Sequence, residues 1–205
     1  MLFRSVTNAK EIVAERDSTC ARKTSGEVLC WGGGVTSPSA VANLSTATSI
    51  GGFQSVANLN GFVAVRQNGT VAYWNSYTPW DATNITGLSN VVRVSAPSYF
   101  YSSVPEVCGI RSDQSVACVG YNNLGIFGSG GCNTGTSSSW IPFLVHEGPA
   151  TQVKTMAFSG SGQSTLLQTS GKLYCSGASN SYGLGDGQQY PPAGHATFVP
   201  VVGLL

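Results

Sequence analysis

The chain has 205 residues and a formal net charge of +1, and only 9% of its residues are Asp, Glu, Lys or Arg, against roughly 25% in ordinary globular domains. It contains no basic cluster, which argues against nucleic acid as a partner because phosphate binding needs concentrated Lys and Arg. A hydrophobic fraction of 41% suffices for a packed core. The sequence contains no run of 18 apolar residues, so it predicts no transmembrane helix.

A short pattern occurs four times along the chain: a strand-like run, a small turn, a second strand-like run and then a Trp-Gly or glycine-rich tail. The copies occupy residues 19–34, 62–76, 107–130 and 165–187. Ser-Gly, Asn-Gly or Asp-Gln pairs in the turns predict β-hairpins, because such loops need residues that tolerate positive φ. No window has the apolar spacing of an ordinary helix.

Further β-rich runs flank these hairpins. They lie at 10–13, 47–50, 90–94 and 152–156 before the hairpins, and at 38–41, 142–145 and 198–201 after three of them. The motif recurs about every 43–57 residues, which is typical of stacked supersecondary units. We predict an all-β fold of β-propeller-type repeats with about four blades. The single domain spans 1–205, with approximate repeats at 6–43, 44–87, 88–148 and 149–205. An ordinary β-sandwich is the alternative, although it does not require a motif in step with a period.

The tails carry a resemblance to a known family. Residues 122–130 (NNLGIFGSG) and 180–187 (NSYGLGDG), together with Trp31-Gly32, resemble the regulator of chromosome condensation repeat and the superfamily that includes the propeller-type β-lactamase inhibitor. Asn75 follows Trp74 where Gly is expected, and the first two copies lack the tail. The resemblance implies a propeller that usually closes with about seven blades. Four repeats leave three arrangements open: a fragment of a ring, half of a dimeric ring, or a small closed propeller.

The six cysteines give a second expectation. Cys20/Cys30 and Cys108/Cys118 share one spacing across the hairpin, which makes them cross-strand neighbours about 4.5–5.5 Å apart and within disulfide reach. Buried free thiols are the alternative. In the fourth repeat Cys175 stands opposite Thr165 by the same count. Cys132 and Cys175 are therefore candidates for a third bond with each other.

Paired cysteines of this kind look closest in style to the extracellular members of the resembled family. We therefore expect an extracellular or secreted protein. The start of the chain, 1–5, lacks a signal-peptide core, so a targeting segment would have to come from outside this sequence.

The sequence contains no convergent catalytic set, and we expect no enzyme activity, no cofactor and no metal site. His146 and His195 lie in different segments, without a G-x-S-x-G elbow. Neither a C-x2-C pair nor a histidine cluster suggests zinc. Asp186 is most simply a turn residue. Three acids, Asp81, Glu106 and Glu147, could share one rim, but no pattern brings them together.

Aromatic residues are concentrated outside the repeated core positions, in 74–80, 97–101, 132–140 and 182–190. Aromatics among Ser, Gly and Asn are typical of adaptable contact surfaces. The candidate binding residues are Trp80, Tyr99, Tyr101, Trp140 and Tyr182. We predict a non-catalytic extracellular protein-binding module. The alternatives are a guanine-nucleotide exchange or regulatory domain and a secreted enzyme or enzyme inhibitor of propeller type. Self-association or further repeats would complete the ring.

Overall fold

In a computed structural model of the chain, the described residues form sixteen β-strands. The structure describes residues 5–44, 46–54, 61–76, 80–96, 106–120, 127, 142–146, 149–158, 162–177, 184–188 and 195–202. The strands are β1 Ala9–Glu15, β2 Ser18–Lys23, β3 Val28–Gly32, β4 Val35–Ala40, β5 Ala47–Phe53, β6 Gly61–Arg66, β7 Val71–Asn75, β8 Thr83–Ile85, β9 Val91–Ser95, β10 Val107–Arg111, β11 Val116–Val119, β12 Pro142–His146, β13 Ala150–Phe158, β14 Gly162–Thr169, β15 Lys172–Gly177 and β16 His195–Pro200.

The strands make four antiparallel sheets, each with four strands in chain order: β1–β4, β5–β8, β9–β12 and β13–β16. We refer to them as blades one to four. The predicted all-β fold with four blade-like repeats is confirmed. Within the described part of the chain, no helix is long and apolar enough to cross a membrane.

The central hairpins of blades one to three close through three-residue turns. The last turn residue has a positive φ in each: 89° at Gly26, 77° at Gly69 and 66° at Gln114. This is the loop of a type I turn followed by a left-handed residue. In blade three the Asp113 carboxylate accepts hydrogen bonds from the Ser115 amide (2.9 Å) and hydroxyl (2.6 Å). The turn sequences therefore determine where each hairpin reverses.

The hairpin of blade four has a two-residue turn, Ser170-Gly171, and both residues have positive φ (49° and 76°). Two such residues define a type I′ turn. Because this turn is one residue shorter, Leu166 is the residue opposite Cys175, and Thr165 pairs with Ser176. The expected Thr165–Cys175 pairing is wrong, since it assumed the turn length of the other repeats.

The first strand of each blade lies innermost in the arc. β1 packs against β5, β5 against β9, and β9 against β13. Each of these strands pairs with the second strand of its blade through a register shift near its start, at Ala9/Glu11, Ala47/Ser49 and Ala150/Gln152 in blades one, two and four. A β-bulge of this kind bends the strand and increases its twist, and the same bend recurs around the axis.

Successive blades are joined by backbone hydrogen bonds. The amides of Ala47, Val91 and Ala150 begin blades two, three and four. They donate to the carbonyls of Gly26 (2.8 Å), Gly69 (3.0 Å) and Gln114 (3.1 Å), which are the last turn residues of the preceding blades. We call this contact the blade clip. Beneath each clip lies one cluster of buried apolar side chains shared by the two blades. The clip and its cluster together form a blade junction.

Two disulfides lie inside these junctions. Cys20–Cys30 and Cys108–Cys118 are bonded, with Cα atoms 4.1 and 4.0 Å apart, so both predicted hairpin bonds are confirmed. The first pair belongs to the cluster between blades one and two, and the second to the cluster between blades three and four. Each crosslink therefore stiffens a hairpin at the surface on which the next blade packs.

Cys175 is a free, buried thiol, so the expected Cys132–Cys175 disulfide is not formed. Cys132 itself lies outside the described residues. Burial raises the pKa of the Cys175 thiol above its usual value, and the nearby Asp186 charge adds to the shift. Since a thiolate is the reactive form, this cysteine behaves as a small apolar residue.

Candidate functional site

An open groove of about 550 Å³ runs along the innermost strands. All four first strands contribute to its walls, with side chains from β1, β5, β9 and β13. The lining mixes carboxylates, guanidinium groups and hydroxyls with aliphatic residues. A concave surface at the axis of the arc with several convergent polar groups is the first place to look for a binding site.

Glu11 forms the best-ordered polar contact in the groove. Its carboxylate accepts a 2.8 Å charge-assisted hydrogen bond from Arg22 Nε on the neighbouring strand. The same oxygen accepts the Ile50 amide of blade two at 3.2 Å. Glu11 therefore ties the first blade to the second and is already satisfied by protein groups.

Glu15 lies four residues further along β1, against the backbone of the second blade. A methyl group on Gly52 would overlap the Glu15 side chain, so the absence of a Cβ there makes room for this carboxyl. Burial raises the pKa of Glu15 from 4.5 to about 7. At neutral pH the carboxyl is close to half protonated, and it can donate or accept a hydrogen bond at the groove wall.

Blade three contributes Arg93, whose Nη1 donates to the Thr151 carbonyl of blade four at 3.3 Å. The described lining thus holds two acidic and two basic side chains, with three of the four charges used to connect neighbouring strands or blades. No histidine or cysteine is present among the described lining residues. The groove can position polar groups of a ligand through its carboxylates, guanidinium groups and hydroxyls.

The two rims of the arc differ in the connections that leave them. In an antiparallel meander, the first-to-second and third-to-fourth strand connections lie at one end of the sheet, and the central hairpin turn lies at the other. The turns at 24–26, 67–69, 112–114 and 170–171 therefore define a short-turn rim. We call the opposite rim the long-connection rim. It contains the strand ends that flank segments 54–60, 76–82, 96–106, 120–141 and 178–194.

Every aromatic-rich segment singled out in the sequence leaves from the strand ends of the long-connection rim. Tyr99, Tyr101, Trp140 and Tyr182 lie outside the described residues, and their role in binding stays a prediction. The strand topology brings the ends of their segments to the same rim, which sequence alone does not reveal.

Trp80 is described, and the expectation that it lies outside the core is wrong. It is only 5% exposed and belongs to the cluster between blades one and two. Its carbonyl accepts the Ala42 amide at 2.8 Å, and its indole N–H donates to the Ser76 carbonyl at 3.4 Å. These contacts draw the connection after β7 into the junction, so Trp80 is a packing residue.

The three acids considered for one rim do not behave as a group. Asp81 is exposed and accepts a 2.7 Å hydrogen bond from Asn43 Nδ2. Glu106 is 1% exposed, and its Oε1 has no hydrogen-bond partner among the residues that the structure describes. Burial raises the pKa of the Glu106 carboxyl well above its usual range, because desolvation disfavours the charged form. Glu147 lies outside the described residues.

The sequence analysis did not single out Glu11, Glu15 or Arg22. The available signal was that Glu11 and Glu15 lie four residues apart on a β-rich segment, with three apolar residues between them. Two residues an even number apart on a strand share a face. That spacing indicated a polar face on a strand that otherwise contributes to the core.

Comparison with solved structures shows which fold this arc belongs to. The chain is similar to yeast RCC1 (Prp20) in a complex with Kap60, with 14% identity over 95% of this chain and a TM-score of 0.67. It is similar to human WBSCR16, with 14% identity over 95% of the chain and a TM-score of 0.63. It is also similar to Prp20p from Saccharomyces cerevisiae, a structure reported with its binding properties to Gsp1p and histones, with 16% identity over 94% of the chain and a TM-score of 0.62.

The four sheets are therefore blades of a β-propeller, and the fold is that of the RCC1-type propeller. The chain spans about half the length of these structures, covering 50%, 53% and 51% of them. No family model matches the sequence, and no curated protein matches it.

Proposed function

We propose that this chain is a non-catalytic extracellular protein-binding module that recognises its partner with the long-connection rim. The observation that carries the proposal is the asymmetry between the rims. Short turns close one rim, while the aromatic-rich segments with Tyr99, Tyr101, Trp140 and Tyr182 all leave from strand ends at the other. Recognition is commonly carried by loops on a rigid scaffold, and Tyr and Trp are enriched where binding energy concentrates.

The disulfides support an extracellular setting. Structural disulfides persist in oxidising compartments and are rare in the cytosol and nucleus. Here both crosslinks sit within blade junctions, where they hold the frame that carries the long connections. A stiff frame lowers the entropy lost when those connections bind a partner.

The groove supports a binding role over catalysis. Glu11 and Arg22 neutralise each other, and Arg93 is directed to a backbone carbonyl. Among the described lining residues, these contacts leave Glu15 as the carboxyl free to meet a ligand. One unpaired carboxyl, with the second acid Glu11 already held by Arg22, favours recognition of polar groups over bond cleavage.

A second candidate is a regulatory or guanine-nucleotide exchange domain. The likeness to Prp20 favours it, since that protein has been described with binding to Gsp1p and histones. A formal charge of +1 with 9% charged residues favours the first proposal over this one, because histone and nucleotide-bound partners are strongly charged. An enzyme inhibitor of propeller type would use the same long-connection rim.

The test uses the oxidised full chain as bait against cell-surface and secreted proteins and, in parallel, against a nuclear extract. A partner captured from the first source is then titrated against Tyr101→Ala and Trp140→Ala. We expect each change to weaken binding about 5- to 30-fold, as truncation of an aromatic anchor does. The control is Gln67→Ala, an exposed residue of the short-turn rim, which should bind like the parent.

Equal affinity of the two aromatic variants and the parent would contradict the role of this rim. Capture from the nuclear extract alone, together with faster nucleotide release from a small GTPase, would support the second candidate instead.

A further inference from the structure

Three N-x-S/T sequons, the acceptor motif for N-linked glycans, meet on one side of blade two. They begin at Asn43, Asn68 and Asn84. We propose that Asn68 and Asn84 carry N-linked glycans, which cover the outer edge of blade two next to the short-turn rim. This inference rests on the extracellular setting of the proposed function, because the motif is modified in secreted proteins.

The structure brings the three asparagines together. They are spread over residues 43–84 of the sequence, yet all three line one open cavity of about 410 Å³. Arg66 connects two of them, since its Nη1 donates to Asn84 Oδ1 at 2.6 Å and its Nη2 donates to the Asn43 carbonyl at 2.8 Å. Sequence alone does not reveal that these motifs share one surface.

Asn68 is exposed in the turn between β6 and β7. Its Oδ1 accepts hydrogen bonds from the Thr70 amide (3.1 Å) and hydroxyl (2.7 Å), which is the pattern of an Asx turn. Because Oδ1 faces the chain, Nδ2 lies on the opposite side of the planar amide. This nitrogen is the atom to which a glycan is attached, and the turn directs it outwards.

Blade three shows that the turn itself does not require an amide. There the Asp113 carboxylate makes the same two contacts with Ser115, at 2.9 and 2.6 Å. A carboxylate therefore supports the hairpin as an amide does, but it cannot accept a glycan. Aspartate is thus a matched substitution for Asn68 that separates glycosylation from folding.

Asn84 is exposed on β8, the outermost strand of blade two. The Arg66 guanidinium holds its Oδ1, so Nδ2 again lies on the side of the amide away from the protein donor. Thr86, the hydroxyl residue of this sequon, is exposed as well. A glycan is bulky and solubilising, and on an edge strand it would also block pairing with other chains.

Asn43 is presented differently. Its Nδ2 donates to Asp81 Oδ1 at 2.7 Å, so the acceptor nitrogen faces the protein. The third residue of its sequon, Ser45, lies outside the described residues. We therefore assign glycans to Asn68 and Asn84, and Asn43 serves to tie its linker to the connection before β8.

Both assigned sites lie toward the short-turn rim. Asn68 belongs to the turn at 67–69. Ile85, next to Asn84, pairs with Val71, the first residue of β7 after that turn. Glycans at these positions leave the long-connection rim accessible, so they are compatible with the proposed binding surface.

Glycan transfer is a substitution at the first sugar carbon, C1. The donor is a lipid-linked oligosaccharide pyrophosphate of the secretory route. The bond from C1 to the pyrophosphate oxygen breaks, a bond from C1 to Nδ2 forms, the amide loses one proton, and the lipid pyrophosphate leaves. No group is oxidised or reduced. The modified amide keeps its Oδ1, so the contacts with Thr70 and Arg66 can persist.

The experiment begins with the protein isolated from its own cells and from their medium. Digestion with peptide N-glycosidase in water that contains heavy oxygen converts each glycosylated asparagine to labelled aspartate, and peptide mapping locates the label. We expect label at Asn68 and Asn84 in the secreted protein. Intact mass before and after digestion should show the loss of two glycans per chain.

Variants of the full chain, produced through a eukaryotic secretory pathway, separate the two sites. Asn68→Asp and Asn84→Asp should each remove one glycan. Their carboxylates should keep the hydrogen bonds that the amide oxygens make. Thr70→Ser and Thr86→Ser are the matched controls, because they preserve the sequons and should keep both glycans. Circular dichroism and intact disulfides report that each variant is folded.

Secreted protein with both Asn68 and Asn84 unmodified would overturn the inference. The proposed function would still stand, because partner binding is measured separately with Tyr101→Ala and Trp140→Ala. A glycan on Asn43 alone would also overturn the inference. Unmodified protein found only inside the cells would contradict the inference and the extracellular setting together. Glycans at both sites, with equal partner binding by the two aromatic variants and the parent, would support the inference and contradict the proposed function.

Discussion

The central hairpins of blades one and four occupy the same place in their sheets and are held in different ways. In blade one a three-residue turn brings Cys20 opposite Cys30, and the bond between them is buried under blade two. In blade four a two-residue turn leaves Cys175 opposite Leu166, with no crosslink. The turn of blade one is packed by a neighbouring linker, while no described residue lies within 4 Å of a Cβ built on Gly171 in blade four.

The difference shows that turn length and strand register are separate properties in this fold. Ala9 pairs with Lys23 and Ala150 pairs with Thr169, so the first two strands are aligned in the same way in both blades. The shorter turn is absorbed by a change of turn type. Register follows the buried pattern of the strands, and the crosslink is an addition to it. Blade two has the same register without a crosslink, since Val63 stands opposite Tyr73.

The largest expected effect comes from removing the side chain that packs under the junction of blades one and two. Trp80→Ala should lower the free energy of unfolding by about 3–5 kcal/mol, as truncation of a buried large aromatic does. Trp80→Phe is the control, because it keeps most of the apolar volume and should cost less than half as much. Urea unfolding measures both. A loss under about 1 kcal/mol for Trp80→Ala would contradict its role in packing and make Trp80 a candidate binding residue again.

Breaking the crosslink should make blade one resemble blade four. The double change Cys20→Ala with Cys30→Ala should cost about 2–3 kcal/mol, because the bond closes a short loop in the unfolded chain. The β-sheet circular dichroism should persist, since register does not depend on the bond. Thermal unfolding under oxidising and reducing conditions checks this, and the variant should be insensitive to reductant at this hairpin. Loss of the sheet signal would contradict the separation of register and crosslink.

Adding a crosslink should make blade four resemble blade one. Leu166→Cys places a cysteine opposite Cys175 at the register position of Cys20, and we expect a disulfide worth at most about 2 kcal/mol. Thr165→Cys is the matched control. It is the partner that a fixed spacing of ten residues predicts, but it stands opposite Ser176 and should stay reduced. Non-reducing peptide mapping separates the two. A bond in the control and none in Leu166→Cys would refute the register.

The smallest expected effect concerns Glu15 on β1, at the groove wall. The corresponding strand of blade four, β13, contains no acidic residue. Its folded-state pKa of about 7 is above the ordinary value of 4.5, so the folded state binds the proton more tightly than the unfolded state. This contribution to stability is complete below pH 4.5 and is lost as the pH rises through 7. Because Glu15 is half-exposed and screened by solvent, we expect about 1 kcal/mol. Glu15→Gln should flatten this slope in urea titrations at pH 5 and pH 8. An unchanged slope would show that the carboxyl titrates normally.

Much of the fold was within reach of the sequence because the repeats carry local signals. Turn residues that tolerate positive φ predicted the hairpins, and two cysteine pairs with equal spacing predicted the crosslinks. The predicted pairing failed in the fourth hairpin because its turn is one residue shorter, whereas a constant spacing assumes turns of equal length. Either a two-residue type I′ turn or a three-residue turn can connect two strands that pair in the same register, so the number of residues between paired positions is not constant.

The candidate site was less accessible, because it depends on contacts between blades. Trp80 follows a strand and has the composition of a loop residue, yet its carbonyl pairs with Ala42 of the preceding blade. The Glu11 carboxylate reaches Ile50 only because blade two packs beside β1. Neither contact has a signal at short range along the chain. Sequence patterns identified the blades, and the packing of one blade on another decides which polar and aromatic side chains remain available.

The blade clip is built from backbone atoms alone. At every described junction, an amide at the start of one blade meets the carbonyl that ends the turn of the blade before it. No side chain takes part in these hydrogen bonds, so the link places few demands on sequence beyond the conformation of the turn. A whole unit could therefore be duplicated or deleted as a cassette, with the new neighbours connecting through groups already in position.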